Sequence, residues 1–304
     1  MKILFMGTPE FAAYSLAALL KSKHAVAGVV TQPDRSLKRG KTEVCAVKKL
    51  ALENGLTVLQ PNRLRDEADA LRAFGADIGV TAAYGQILNA DVLDAFPCGV
   101  INVHASLLPK YRGASPIQSA IADGERETGV TIMRTELGLD TGDILSVAKT
   151  PIYDGETAGE LTVRLAEMGA SLLVDTLDNF ANIAPRKQDD RIATHCKTIK
   201  KEEQYINFGC DAECVVNRIR SLSPSPCAKT VINGEVYKIY RARQCDACGA
   251  HGEILCSDDK LVIACGRGGI EVLVIQAPSK RALDISEFLR GRRFDKGVIC
   301  ARPQ

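Results

Sequence analysis

Lys2-Ile3-Leu4-Phe5-Met6-Gly7-Thr8-Pro9-Glu10-Phe11-Ala12 stands at the start of the chain and decides how the rest is read. Residues 2–6 are apolar after the first lysine, without polar alternation, which marks a strand buried on both faces. Gly7 allows a tight turn. Thr8 followed by Pro9 reads as the N-cap and first residue of a helix over 9–21. A buried strand that enters a capped helix is the opening unit of an α/β fold, and its free helix N–H groups point outward where a ligand can bind. The turn holds one glycine only, so the three-glycine dinucleotide fingerprint is absent, which argues against an NAD or FAD dehydrogenase.

The alternation continues outward from this unit. Strands are expected at 25–31, 57–59, 78–82, 100–103, 128–135 and 144–150, and helices at 46–53, 66–74, 116–122 and 157–177. In the last of these, Leu161, Leu165, Met168 and Leu172 share one stripe. The pattern predicts a Rossmann-like α/β domain over residues 1–181 with a largely parallel sheet, whose ligands belong at the carboxyl ends of the strands. Residues 182–204 turn polar and mixed in charge, and read as a linker. Beyond them come short strand-like runs, with Asn233-Gly234 as a strong hairpin signal. Residues 205–304 are therefore expected to form a small, mainly β, barrel-like domain.

Composition bounds the function. The chain has 304 residues, 46% apolar and 25% charged, enough for two cores and ordinary for a globular protein. No apolar run reaches the ~20 residues of a membrane span, and no secretion signal is evident, so a cytoplasmic protein is expected. The eleven cysteines are then expected to be reduced. The net charge of +2 divides unevenly. Residues 205–304 hold fifteen Lys and Arg against eleven Asp and Glu, or +4, which leaves −2 for residues 1–204 and hints weakly at a polyanionic partner.

Chemistry concentrates after three of the strands. Asn102 and His104 are two apart in a strand and so project from one face at its carboxyl end. A carboxamide donor beside an imidazole suits a reaction that builds negative charge on oxygen and moves a proton. Gly138-Leu139-Asp140-Thr141-Gly142-Asp143 supplies an acidic loop, in which either Asp140 or Asp143 could orient His104. In Ala83-Tyr84-Gly85-Gln86, Gly85 would let a ligand approach the backbone. The Walker loop, the HExxH helix and the G-x-S-x-G elbow are all absent. Cys245-Asp246-Ala247-Cys248 spaces two thiols as half of a zinc site would, but Cys256 and Cys265 do not form a second C-x-x-C pair, so no metal is expected.

Taken together, several stretches resemble the methionyl-tRNA formyltransferase family of 10-formyltetrahydrofolate-dependent enzymes. They are Gly7-Thr8-Pro9-Glu10-Phe11-Ala12, Thr31-Gln32-Pro33-Asp34-Arg35, Ala83-Tyr84-Gly85-Gln86-Ile87-Leu88, Asn102-Val103-His104, Ser106-Leu107-Leu108-Pro109, Tyr111-Arg112-Gly113-Ala114-Ser115-Pro116-Ile117 and Gly138-Leu139-Asp140-Thr141-Gly142. The resemblance implies formyl transfer from 10-formyltetrahydrofolate, as co-substrate, to the methionine amine of initiator methionyl-tRNA. It places the catalytic trio on Asn102, His104 and Asp140, and the folate contacts on Ser106, Leu107, Leu108 and Pro109, with Tyr84 and Gly85 nearby. It places tRNA contacts on the loop from Gln32 to Lys48, chiefly Arg35, Lys38, Arg39 and Lys41. It also implies an OB-like, tRNA-holding C-terminal domain and a monomer. Departures concern tRNA contact: Thr42-Glu43-Val44 stands where relatives often have prolines, and Ser223-Pro224-Ser225-Pro226 lacks a tryptophan common between such prolines. The rival readings are a formyltransferase for an amino sugar nucleotide or for glycinamide ribonucleotide, and an inert RNA- or folate-binding module.

Overall fold

A computed structural model describes residues 1–36 and 42–302. The elements run β1 (Lys2–Gly7), α1 (Glu10–Lys21), β2 (Ala25–Val30), β3 (Arg35–Ser36), β4 (Thr42–Glu43), α2 (Ala46–Glu53), β5 (Val58–Leu59), α3 (Ala68–Arg72), β6 (Ile78–Ala82), α4 (Ala90–Leu93), β7 (Val100–His104), β8 (Arg112–Gly113) and α5 (Pro116–Ala122). They continue through β9 (Glu127–Arg134), β10 (Ile144–Pro151), α6 (Ala158–Asp178), β11 (His195–Cys196), α7 (Ala212–Leu222), β12 (Ala228–Ile232), β13 (Glu235–Cys245), β14 (Ile254–Ser257), β15 (Leu261–Ala264), β16 (Gly269–Gln276), β17 (Ala282–Asp284) and α8 (Ile285–Gly291).

Two compact units result, and neither is one continuous piece of chain. The first comprises Met1–Gly113, Thr128–Thr150 and Thr162–Cys196; the second Ala114–Glu127, Pro151–Leu161 and Lys197–Gln304. In the first, seven strands form a sheet in the order β10-β9-β7-β6-β1-β2-β5. β1 pairs in parallel with β2 and β6, β2 with β5, and β6 with β7; β9 runs antiparallel to β7. The sheet is thus largely parallel, as expected. Strand order reverses at β1, which makes the ends of β1 and β6 the switch point where such folds bind ligands. Ile3, Leu4, Phe5 and Met6 are fully buried, which explains the unbroken apolar run; burial of each is worth about 1.5–3 kcal/mol.

The start of α1 differs from expectation. Pro9, not Thr8, is the N-cap residue, and the helix has no side-chain cap. The Thr8 hydroxyl instead accepts a hydrogen bond from Gln32 N–H at 3.2 Å, tying the crest of β1 to the segment after β2. The stretch read as a linker is partly committed to the first unit: Arg186 and Ile144 exchange backbone hydrogen bonds, and β11 pairs with β8.

The second unit is an antiparallel sheet in the order β12-β13-β16-β15-β14, with β17 added to β16. Asn233 and Gly234 both have positive φ, 50° and 78°, and join β12 to β13 in a two-residue hairpin. The C-terminal segment bridges the two outer strands. Val231 and Ala301 exchange hydrogen bonds at 2.9 Å, Cys300 N–H donates to Gly252, and Ile299 pairs with Glu253 just before β14. This closure gives the sheet its OB-like, barrel character. Two helices, α7 and α8, went unread in the sequence. Val215, Ile219 and Leu222 of α7 and Phe288 and Leu289 of α8 fill the same core as Tyr237 and Ile239. Among the described residues no helix is long and apolar enough to cross a membrane.

Candidate active site

β7 delivers Asn102 and His104 at the carboxyl edge of the sheet, on one face. His104 is 5% exposed. Its Nε2 lies 2.9 Å from the carbonyl oxygen of Tyr111. A carbonyl can only accept, so Nε2 bears the hydrogen. Nδ1 faces the Asp140 carboxylate, with Oδ2 at 3.6 Å. That is ion-pair range but too long for a direct hydrogen bond.

Of the two acids left open by the sequence, Asp140 is the one whose carboxylate lies beside His104. Gly113 N–H donates to Asp140 Oδ2 at 2.8 Å. Asp140 adopts φ +53°, a left-handed conformation that costs an ordinary residue on the order of 1–2 kcal/mol and that aspartate tolerates better than most. Asp143 serves through its backbone instead, accepting from Arg134 N–H at 2.8 Å.

Asn102 is oriented from the neighbouring strand. The hydroxyl of Thr81, buried in β6, donates to Asn102 Oδ1 at 2.9 Å; the Ile101 carbonyl stands farther off, at 3.2 Å. The amide oxygen is thereby engaged, and the NH₂ group is the end turned away from Thr81. Thr81 was not singled out in the sequence. The available signal was its place near the end of a buried strand whose pairing sets it opposite Asn102.

The loop after β7 is shaped from within. The Thr131 hydroxyl donates to the Ser106 carbonyl at 2.7 Å and accepts from Leu108 N–H at 3.2 Å. Ser106 Oγ donates to the Lys110 carbonyl at 2.6 Å, and Leu108 packs with Met133 and Ile144. Ser106 and Leu108 therefore hold the loop's form with their side chains, while Leu107 and Pro109 are the half-buried pair. Gly85 has φ +86°, a conformation natural to glycine. Tyr84 turns its ring into the core beside Leu4, Met6 and Val30, where its hydroxyl makes no hydrogen bond and burial pushes its pKa up to about 12.

A polar network braces the other side of the crest. Gln32 Nε2 donates to the Tyr84 carbonyl at 3.1 Å, and Gln86 Nε2 to Gln32 Oε1 at 3.3 Å. Lys48, at the end of the loop, is engaged within the fold: its amine is bound at 2.5 Å by both Asp34 and Gln60. Those hydrogen bonds, from Lys48 first and Gln60 second, hold the Asp34 carboxyl below the usual carboxylate range. Arg35 lies in β3; Lys38, Arg39 and Lys41 fall outside the described residues. The eleven cysteines are free thiols, and the described residues contain no group of three or more His, Cys, Asp or Glu placed to hold a metal.

The formyl transferase family matches residues 1–177, and the formyl transferase C-terminal domain matches residues 198–293. The methionyl-tRNA formyltransferase of Citrifermentans bemidjiense is 41% identical over 308 residues, 99% of this chain and 97% of that protein. That of Lachnospira eligens is 43% identical over 312 residues, 98% and 99% of the two chains. Among solved structures, the N-formyltransferase from Helicobacter canadensis in complex with folinic acid and dTDP-3-aminofucose shares the fold, with a TM-score of 0.71 at 20% identity over 91% of this chain and 100% of that one. Identity above 40% runs the length of both units and both domain matches occur in order, so the chain belongs to the formyl transferase family.

Proposed function

We propose that this enzyme transfers the formyl group of 10-formyltetrahydrofolate to the α-amino group of methionine on initiator methionyl-tRNA. The observation that supports the chemistry is the Asp140 carboxylate 3.6 Å from His104 Nδ1 at the end of β7, the strand that also carries Asn102 two residues before His104. The substrate amine is the nucleophile, so no side chain need be activated to attack. As the amine nitrogen bonds to the formyl carbon, charge gathers on the formyl oxygen, and the Asn102 NH₂ and His104 Nδ1–H are the donors for it. Removal of one such donor typically costs ~10²–10³ in rate. The bond from the formyl carbon to the folate nitrogen then breaks, that nitrogen takes the proton His104 supplies, and the proton given up by the attacking amine restores His104. Asp140 keeps the ring turned to its task.

Leu107, Pro109 and the backbone at Gly85 form the folate side of this reading, with Ser106, Leu108 and Tyr84 supporting from below. On the RNA side, Arg35, Lys38, Arg39 and Lys41 would meet phosphates next to the acceptor end, a salt-sensitive contact that positions without reading bases. The choice of methionyl-tRNA over other formyl acceptors rests on relatives above 40% identity over nearly their whole length. The deciding experiment supplies the purified protein with 10-formyltetrahydrofolate and charged initiator tRNA and looks for formylmethionine after hydrolysis. A dTDP-amino sugar is offered in a parallel reaction. Formylation of the sugar but not the tRNA would replace this reading with the amino sugar one.

A further inference from the structure

Gln188 lies 48 residues beyond Asp140, in the polar stretch after α6, yet its carboxamide sits against the loop that presents Asp140. Both amide hydrogens are used: Nε2 donates to the Asp140 carbonyl at 2.8 Å and to the Gly142 carbonyl at 2.7 Å. The amide oxygen is used as well. Arg112, 4% exposed, donates to Gln188 Oε1 from Nε at 3.0 Å and from Nη2 at 2.9 Å. Every hydrogen-bonding site on this carboxamide is therefore filled, with a buried cation on one side and the acid loop on the other. Arg112 Nη2 also reaches Asp190 Oδ1 at 2.7 Å, but that carboxylate is 82% exposed and screened by water.

Two adjacent residues of β8 grip Asp140 from different sides. Arg112 acts through Gln188 on the Asp140 backbone, and Gly113 N–H holds the Asp140 carboxylate. A non-glycine residue at positive φ persists where its surroundings over-determine it, and these contacts are the surroundings. With its carbonyl and its carboxylate both fixed, Asp140 has one orientation toward His104.

From this we propose that Gln188 is a positioning residue for Asp140, clamping the acid loop so that the carboxylate faces His104. The inference rests on the assignment of Asp140 to the reacting trio made above. Gln188→Glu removes both donors and sets a carboxylate against two carbonyls; Gln188→Met removes the hydrogen bonds and keeps the bulk. Each is made in the full chain, alone and with Asp140→Asn, and folding is followed by circular dichroism. Kinetics are measured with 10-formyltetrahydrofolate and methionyl-tRNA.

A displacement of the order of an ångström at a catalytic group costs about a hundredfold in rate, so each single Gln188 variant is expected to lower kcat by about 10- to 100-fold. KM for both substrates should stay within about twofold, because ground-state binding is untouched. Added to Asp140→Asn, either Gln188 change should cause no further loss, since both act through one carboxylate. A folded Gln188 variant with wild-type kcat overturns the proposal. So does a loss that multiplies in full with that of Asp140→Asn. Wild-type kcat in Asp140→Asn alone instead removes Asp140 from the trio, and the role of Gln188 with it.

Discussion

Asp140 faces His104 without a direct hydrogen bond to it: Oδ2 stands 3.6 Å from Nδ1, while Gly113 N–H holds that same oxygen at 2.8 Å. The other ring nitrogen is fixed by the Tyr111 carbonyl at 2.9 Å. The ring is thus held at one edge, with a carboxylate facing the other. In the proposed reaction His104 is both a donor and the proton source, so His104→Ala should lower kcat by about 10²–10⁴-fold. Steady-state formylation with tRNA and folate donor at saturating concentrations measures it. Retention of the wild-type rate would exclude His104 from the proton transfer.

The Thr81 hydroxyl decides which end of the Asn102 amide faces outward. Thr81→Val keeps the shape and removes the hydroxyl, so the amide is free to rotate and its oxygen can face the developing charge. A fall in kcat of about tenfold is expected, with KM little changed, which is the signature of a contact made only in the transition state. Thr81→Ser should restore most of the rate. Equal loss in the serine variant would point to packing instead.

At Tyr84 a buried hydroxyl makes no hydrogen bond, and an unsatisfied buried polar group costs about 1–3 kcal/mol. Tyr84→Phe should therefore raise the melting temperature by about 2–4 °C for each kcal/mol recovered. The KM for the folate donor should not move. A raised KM would mean that the hydroxyl meets the folate directly.

Asp34 is the group through which acid should act on the crest. Its carboxyl is held below the usual range by Lys48 and Gln60. A depressed folded-state pKa contributes stability above the unfolded value, and that contribution is lost as pH falls through the folded value. Melting of Asp34→Asn compared with the wild type should show a deficit at neutral pH. The two curves should converge as pH drops below the ordinary carboxylate range. A deficit that persists unchanged in acid would show that the ionised pair is not its source.

Several features were legible because they depend on neighbours in the chain. The unbroken apolar run at 3–6, the two-residue offset of Asn102 from His104 and the Asn233-Gly234 turn are local patterns, and local sterics or strand geometry enforce them. The α/β order followed from such patterns in series. Helix α7 escaped the same reading because its apolar positions, Val215, Ile219 and Leu222, sit among charged residues in a region otherwise full of strand signals. Thr8 looked like a helix cap, and only the approach of Gln32 from the segment after β2 gave its hydroxyl a different partner.

The order of amino acids thus specified the main strands of the sheet, the hairpin turn and the residue kinds at the end of β7. Folding had to settle which of two aspartates reaches His104, which way the Asn102 amide points, and that Gln188 and Arg112 stand beside the site. The physical reason is separation. These contacts join residues 21 to 76 positions apart, and hydrogen bonds of that kind depend on how strands and loops are brought together, which no local periodicity encodes.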